Sequence, residues 1–363
     1  MASPTVNPAR LLVVLPSWVG DFVMATPALR LLRTALPGSL IGVLARPTID
    51  ELLADSDLFD QIHLDRPHGM MGPKRVASRI RPQRYDTALL LTNSFSTALA
   101  ARLAFIPRRI GYDRDRRGFL LTQKLTPERR ADGAFEIVPA CEYYYRAARA
   151  LLEGTDRGPV GLPPGAHMEL TISRPQHAAA ESILVRAGIR SDQRVAILNP
   201  GGNKPGKRWP ADRFAALADH LAERHGLRVL VNGSPAEASL TAHVAATART
   251  TAIALPPFGV TLGSLKALIQ RASIVVSNDT GPRHIAAALG TPVVTLFGPT
   301  DSRWTTIPAP AGEEVLVADS TLGPLASADD HPERCRVDRI EFDTVAQAVQ
   351  KMLSQPVAKR KRD

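Results

Sequence analysis

The stretch SNDTGPRHIAAALGTPVVTLFGP, residues 277–299, follows the β-branched run Ile274-Val275-Val276 and contains a second apolar run at residues 293–297. A polar turn and an Ala/Leu-rich segment that stops at Gly290 separate the two runs. This pattern predicts a strand, a turn, a helix and a second strand, which is the repeating unit of an open parallel sheet. Because such sheets bind ligands at the carboxyl ends of their strands, we expect the turn to lie at a binding site.

The turn carries residue types that suit a phosphate group. Thr280, Gly281 and His284 fall at the predicted helix start, where free N–H groups and the positive end of the helix dipole attract anions. His284 alone would more often be structural, but the three residues together are a stronger signal. The sequence therefore predicts that the chain handles a nucleotide or a phosphorylated sugar.

The alternation of strands and helices extends outward from this stretch in both directions. The apolar runs predict strands at residues 11–15, 40–44, 88–91, 194–199 and 228–232 and near residue 253. Helical spacing is found at residues 21–36, 95–105, 211–224, 263–271 and 343–353 and from residue 236 onward. We expect an α/β protein with two doubly wound, Rossmann-like domains facing a central cleft. A Pro- and Gly-rich linker, residues 154–165, predicts domains at 1–160 and 161–340, followed by a helix and a basic tail at 341–363.

Composition restricts the class of protein. The chain has 363 residues and a net charge of +10, and residues 66–130 hold 15 Lys and Arg against 4 Asp and Glu. Such a region attracts anionic partners, although a solvated basic face explains it equally well. For the basic tail at residues 359–363 we favour a frayed terminus over a polyanion site. We expect no secretory leader and no membrane span, and we interpret Cys141 and Cys335 as packing residues in a reducing cytosol.

Two further clusters lie where strands end and helices begin. In PSWVGD, residues 16–21, Asp21 opens a helix and is either a general base or, as local pattern alone favours, a cap or dipole partner. In NPGGNKPGKRWP, residues 199–210, the cations Lys204, Lys207 and Arg208 on a Gly-rich loop suit a diphosphate. The alternative is a basic surface loop with Trp209 as its packing anchor.

Motifs of other enzyme classes are missing from the sequence. It contains no GxGxxG after a strand, no HExxH, no GxSxG and no Walker A ending. Two Asp-x-Asp strings, at residues 55–57 and 113–115, are short enough to arise by chance. We therefore predict no metal.

The three clusters, taken in order, resemble the bacterial ADP-heptose:lipopolysaccharide heptosyltransferase family, most closely its heptosyltransferase II branch. The likeness covers residues 11–299 and is carried by SWVGD at 17–21, by PG and KRWP within 200–210, and by NDTGPRH at 278–284. Asn93-Ser94-Phe95 also matches that branch. Arg283 departs from the family pattern, which often has an apolar residue there, and is expected to tighten diphosphate binding or change the choice of donor.

The resemblance implies a GT-B fold with the acceptor on the N-terminal domain and the nucleotide sugar on the C-terminal domain. It implies inverting transfer of L-glycero-D-manno-heptose from ADP-heptose to a hydroxyl of the lipopolysaccharide inner core or a related envelope glycan. Asp21, as general base, and Lys207 would be catalytic, with no metal or other cofactor. The implied donor-binding residues are Lys207, Arg208, Glu237, Asp279, Thr280, Gly281 and His284, and the implied acceptor-binding residues are Ser17, Trp18, Asn93 and Ser94.

The same resemblance accounts for the basic region as the binding face for an anionic glycolipid. It implies a cytoplasmic protein with peripheral contact to the inner-membrane surface. Two alternatives are a GT-B transferase with another nucleotide-sugar donor and a catalytically silent, nucleotide-sugar-binding scaffold. The retention of Asp21, Lys207 and His284 argues against the silent scaffold. Specific nucleic-acid binding is not expected, because only 5% of residues are aromatic and no binding motif is present.

Overall fold

A computed structural model describes residues 7–66, 69–131, 133–155, 161–323 and 326–355. The chain divides into two compact units, Met1–Thr171 with Arg303–Thr306, and Ile172–Ser302 with Ile307–Asp363. The division falls a short way after the predicted boundary at residue 160, and the predicted separate segment 341–363 groups with the second unit. The basic tail at residues 359–363 and the linker residues 156–160 lie outside the described residues.

The first unit is a parallel sheet covered by helices. Its strands are β1 Arg10–Val14, β2 Leu40–Ala45, β3 Gln61–Leu64, β4 Thr87–Leu90, β5 Arg108–Tyr112 and β6 Gln123–Leu125. Its helices are α1 Val19–Ala35, α2 Gly72–Ile80, α3 Phe95–Leu103 and α4 Ala140–Glu153. The strand order is β3-β2-β1-β4-β5-β6, so the direction of winding reverses between β1 and β4. That reversal is where an open α/β sheet forms its ligand crevice.

The second unit repeats this winding. Its strands are β7 Val195–Asn199, β8 Arg228–Val231, β9 Ala252–Ala254, β10 Ile274–Asn278, β11 Val293–Phe297 and β12 Glu313–Val317. Its helices are α5 Arg174–Arg186, α6 Ala211–His225, α7 Ala238–Thr247, α8 Leu262–Arg271, α9 Gly281–Ala288 and α10 Phe342–Ser354. The order is β12-β11-β10-β7-β8-β9, all parallel, so winding reverses between β7 and β10. The predicted pair of doubly wound, Rossmann-like units is confirmed.

Burial explains which strands the sequence revealed. Every residue of β7, β10 and β11 is buried, and a strand covered on both faces is recognisable as a continuous apolar run. The sequence pattern did not assign β3, β5, β6 and β12, of which three are edge strands. An edge strand such as EEVLV in β12 needs fewer apolar residues because part of it faces solvent. The described part of segment 321–336, predicted as irregular, holds only the short turn Ala328–Asp330 as regular structure.

Some arginines of the basic region are structural. Arg109 is buried and donates to the backbone carbonyls of Leu120 and Ile106, at 2.7 and 2.5 Å. Arg117 is fully buried and donates to the carbonyls of Thr92 and Tyr112, and this burial lowers its pKa to about 10. Backbone carbonyls satisfy these guanidinium groups without neutralising them, so the positive field of the region persists.

The cysteines and the described helices bear on two predictions made from composition. Cys141 and Cys335 are free and buried, as expected for packing residues. Of the described helices, none combines the length and apolarity needed to cross a bilayer.

Candidate active site

The sequence-predicted clusters lie on both sides of each winding reversal. In the first unit, residues 15–18 join β1 to α1 and residues 91–94 join β4 to α3, and β1 pairs directly with β4. In the second unit, the Gly-rich loop follows β7 and the turn Asp279-Thr280 follows β10, and these strands are also paired. Parallel neighbours end at the same edge of a sheet, so each unit gathers its two clusters at one place.

The turn before α9 is organised as an anion site. Thr280 has extended backbone and its side chain does not cap the helix. Its hydroxyl instead accepts a hydrogen bond from Asn199 Nδ2 at 2.9 Å, and Asn199 Oδ1 accepts from Asn232 Nδ2 at 2.7 Å. The first turn of α9 therefore lacks a side-chain cap from its own N-cap residue and is suited to an anion.

Lys207 reaches this helix start from the Gly-rich loop. Its Nζ lies 3.3 Å from Asp279 Oδ2, and the two side chains are only 15% and 9% exposed. Asn278 ties the loop to the turn, because its Nδ2 donates to the carbonyls of Pro200 and Gly201 at 2.9 and 3.0 Å. A cation and a helix start that are far apart in sequence thus lie together.

The other residues of the Gly-rich loop mainly hold its shape. Trp209 is 1% exposed and its Nε1 donates to the Ile340 carbonyl at 2.7 Å, so it is the packing anchor that one interpretation of the loop expected. Arg208 Nε donates to the Gly202 carbonyl at 2.7 Å, and the Lys204 side chain is exposed. Only Lys207 of the three predicted cations forms an ion pair with the turn before α9 in the described part of the chain.

Glu237 lies against the same loop. Its Oε1 accepts from the Gly202 N–H at 3.0 Å, and its Oε2 accepts from the backbone N–H and hydroxyl of Ser234 at 2.9 and 2.8 Å. A Cβ added to Gly201 would lie 2.2 Å from Glu237 Oε1. The glycine is therefore needed for the carboxylate to approach the loop, which explains one of the two adjacent glycines.

Arg283 points into the unit. Its side chain is 1% exposed and forms two contacts with Glu313, at 2.5 and 3.0 Å, while Nη1 lies 3.6 Å from Asp279 Oδ1. The expectation that it tightens diphosphate binding therefore receives no direct support from its orientation. Arg283 and Lys207 both contact the carboxylate of Asp279, so the charge of Arg283 affects the site through this carboxylate.

His284 directly follows Arg283 in the first turn of α9 and is 3% exposed. Burial, reinforced by the charge of Arg283, holds the pKa of this imidazole well below its ordinary value. Its Nδ1 is buried and has no hydrogen-bond partner among the described residues. The residue is therefore neutral at physiological pH, and it can contribute a polar contact but no positive charge.

Asp21 lies in the first turn of α1, where the helix dipole favours a carboxylate. Its Oδ1 accepts a hydrogen bond from the hydroxyl of Tyr144 on α4 at 3.0 Å. Burial first, and then the adjacent carboxylate, raise the pKa of Tyr144 well above its ordinary value, so the phenol stays protonated. Sequence reasoning missed Tyr144, although the run Tyr143-Tyr144-Tyr145 is unusual in a chain with 5 tyrosines.

The predicted acceptor residues lie around Asp21 and on the neighbouring turn. Ser17 is exposed, Trp18 is 73% exposed, and both directly precede α1. Ser94 is the N-cap of α3 and accepts from the Thr97 N–H at 3.5 Å, which gives it a structural role. Asn93 Oδ1 accepts from Arg117 Nη2 and from the Tyr143 hydroxyl, both at 3.2 Å.

A metal centre is not evident in the part of the chain that the structure describes. No group of three or more His, Cys, Asp or Glu side chains is placed to hold an ion there. The Asp-x-Asp strings contain paired surface charges, since Asp57 contacts Arg30 at 2.7 Å and Asp113 contacts Lys124 at 3.3 Å.

Two doubly wound units, each with polar turn residues at its winding reversal, are the architecture of the GT-B class of glycosyltransferases. The chain belongs to glycosyltransferase family 9 (heptosyltransferase), whose family model matches residues 74–331. It is similar to lipopolysaccharide heptosyltransferase 2 of Salmonella typhimurium, at 31% identity over 82% of this chain and 84% of the relative. It is therefore a glycosyltransferase, and lipopolysaccharide heptosyl transfer is its activity at the level of the family.

Solved structures show the same architecture. The Escherichia coli ADP-heptose lps heptosyltransferase II superposes with a TM-score of 0.76 at 25% identity, covering 95% of this chain and 98% of that one. A glycosyl transferase family 9 protein from Veillonella parvula superposes with a TM-score of 0.81 at 22% identity, covering 97% of this chain and 99% of that one. These likenesses confirm the predicted GT-B fold.

Proposed function

We propose that this chain transfers L-glycero-D-manno-heptose from ADP-heptose to a hydroxyl of the lipopolysaccharide inner core. The observation that carries the proposal is the contact between Lys207 Nζ and Asp279 Oδ2, at 3.3 Å, at the start of α9. It brings a partly buried cation to the uncapped helix start, which suits the diphosphate of a nucleotide sugar. The similarity to a protein named ADP-heptose lps heptosyltransferase II supports adenine and heptose as the base and the sugar.

In this proposal the second unit binds the donor. Lys207 and the first-turn N–H groups of α9, including that of Gly281, stabilise the diphosphate as it gains charge, with Thr280 and His284 as polar contacts. Glu237 binds the nucleotide ribose, beside the loop that Arg208 braces. Asp279 orients Lys207. One cation together with oriented backbone dipoles supplies the stabilisation that a metal provides in other transferases, so the proposal includes no metal and no cofactor.

The first unit binds the acceptor, with Asp21 as general base. The acceptor hydroxyl oxygen attacks the anomeric carbon from the face opposite the ADP group, and Asp21 takes the hydroxyl proton. The bond between the anomeric carbon and the phosphate oxygen breaks, ADP leaves with its electron pair, and the anomeric configuration inverts. Ser17, Trp18, Asn93 and Ser94 are the proposed acceptor contacts.

The acceptor of this proposal is an anionic glycolipid, which places the protein in the cytoplasm at the surface of the inner membrane. The excess of Lys and Arg in residues 66–130 supports this location. Two of its arginines are satisfied by backbone carbonyls and therefore keep their full charge.

The donor assignment is tested by calorimetric titration of ADP, UDP and GDP in the presence of EDTA. Selective binding of ADP is expected, with about tenfold or greater weakening in Lys207→Ala, since a charge-assisted contact contributes ~1.5–3 kcal/mol. Lys204→Ala is the matched control, because Lys204 is exposed on the same loop. Preference for UDP or GDP would overturn the assignment of ADP-heptose as the donor. No nucleotide binding at all would favour the catalytically silent scaffold.

The mechanism is tested by turnover of ADP-heptose with an inner-core acceptor. Asp21→Asn keeps the size of the side chain but cannot accept the proton, and it is expected to lower kcat by ~10²–10⁴-fold. The anomeric configuration of the product, read by NMR coupling constants, reports inversion directly. Retained configuration, or unchanged kcat in Asp21→Asn, would refute the assigned role.

A further inference from the structure

Exposed phenylalanine side chains mark one edge of the first unit. Phe95 is 45% exposed and Phe119 is 70% exposed, and their ring centroids are 6.0 Å apart. Phe95 is the first residue of α3, directly after the turn that follows β4. Two adjacent aromatic rings left in solvent at the carboxyl edge of a sheet form an exposed apolar patch, a feature that marks interaction sites.

The turn that presents Phe119 is held firmly in place. It is the short helical turn Gly118–Leu120, and the neighbouring Arg117 is buried and donates to the Thr92 carbonyl beyond the end of β4. Gly118 is closely packed, since a Cβ there would lie 2.1 Å from Asp113 Oδ1. These contacts fix the backbone before Phe119, and Leu120 after it is buried, so the exposure of the ring is a property of the fold.

Exposed cations lie on the elements that neighbour the two rings, together with the exposed carboxylate of Asp115. α2 packs against α3 and begins at the same edge, where Met71 is 51% exposed and Lys74 and Arg75 are exposed. Arg116, close to Phe119 in sequence, is exposed as well. Within the described residues, no carboxylate forms an ion pair with Lys74, Arg75 or Arg116. We call Met71, Lys74, Arg75, Phe95, Arg116 and Phe119 the docking patch.

We propose that the docking patch binds an anionic membrane surface. Exposed aromatic rings partition into the headgroup region of a bilayer, and unpaired Lys and Arg beside them are attracted to anionic lipids. The proposal rests on the proposed function, because a membrane glycolipid as acceptor requires the enzyme to work at a bilayer. Trp18 is not part of the docking patch. It lies within one helical turn of Asp21 and remains a proposed contact of the acceptor glycan.

The test is sedimentation of the full chain with vesicles of phosphatidylcholine, with or without phosphatidylglycerol. Binding is expected for the anionic vesicles only, and the Phe95→Ser/Phe119→Ser variant is expected to bind them about tenfold or more weakly. Arg116→Glu should weaken binding at low salt and have less effect at high salt. Phe105→Ser is the matched control, because Phe105 is 75% exposed at the other end of α3.

Several outcomes would overturn the proposal. These are unchanged vesicle binding by the double variant, an equal loss in Phe105→Ser, or a dimer of the wild-type chain in sedimentation velocity that the double variant abolishes. A raised KM for a water-soluble, deacylated acceptor would assign the rings to the glycan site instead. Far-ultraviolet circular dichroism excludes unfolding of the variants. Since vesicle binding needs no turnover, its failure is distinguishable from failure of the proposed heptosyl transfer.

Discussion

The hydrogen bond from Tyr144 to Asp21 gives a prediction with a calculable size. Tyr144→Phe removes the phenol oxygen, which lies 3.0 Å from Asp21 Oδ1, and leaves the ring in its buried position. A hydrogen bond to a charged group contributes ~1.5–3 kcal/mol, and one pH unit corresponds to about 1.4 kcal/mol. The phenol donates to the charged form of the carboxylate and favours it, so its loss makes protonation of the carboxylate easier.

The acidic limb of the pH profile of kcat/KM is therefore expected to move to higher pH by about one to two units in Tyr144→Phe. At a pH below that limb, kcat/KM of the variant is lower than that of wild type. Well above the limb the two values differ only because the Tyr144 hydroxyl no longer orients Asp21. The assay is initial-rate transfer from ADP-heptose over a range of pH, with substrate concentrations well below KM. Because Tyr144 is buried, thermal unfolding is measured alongside to show that the variant folds.

Tyr145→Phe is the control for this experiment. It lies next to Tyr144 on α4, and it makes no hydrogen bond within the described residues. Its pH profile should match wild type. A Tyr144→Phe profile that coincides with wild type, in a variant of unchanged stability, would refute the assignment of Asp21 as the titrating base.

Three further variants probe other contacts. Gly201→Ala is expected to displace Glu237, whose Oε1 would lie 2.2 Å from the new Cβ, and so to weaken ADP binding in calorimetry, whereas Gly38→Ala, with open space at its Cβ, should not. Trp209→Phe removes a 2.7 Å hydrogen bond and buried ring volume, and should lower the free energy of unfolding in urea by about 1–3 kcal/mol. Burial lowers the pKa of His284 below the value of 6.5 that it has when unfolded. The unfolded state therefore binds this proton more readily, so the free energy of unfolding should fall as pH decreases below about 6.5. His284→Asn should make that dependence shallower, and an unchanged slope would contradict it.

The second half of the fold could be predicted closely because its central strands are buried on both faces. The β10–α9–β11 unit was predicted nearly residue by residue, since β-branched runs end at a polar turn and the helix ends near Gly290. The edge strands β3 and β12 were not predicted, because half-exposed strands with polar or charged residues resemble loops in sequence. The family resemblance rested on the same turns, and the family match confirms it.

The candidate site divides in the same way. Asp21, Lys207 and Thr280 were found because each lies in a segment where a recognisable strand is followed by a helix start. Their pairings with other side chains were not found, because the partners come from distant elements. Tyr144 lies 123 residues from Asp21 in sequence, and Asn199 lies 81 residues from Thr280.

By itself, the sequence determined the alternation of strands and helices around the buried central strands, the turns that carry the polar residues, and the family. These depend on local apolar periodicity and short motifs, which a single segment carries. Only the tertiary structure decided that Lys207 contacts Asp279, that Arg283 points inward to Glu313, and that Arg117 is buried in a region that looked like a basic surface. The physical reason is that a side chain's partner and its exposure depend on which elements pack beside it, and packing joins residues that the local pattern leaves unrelated.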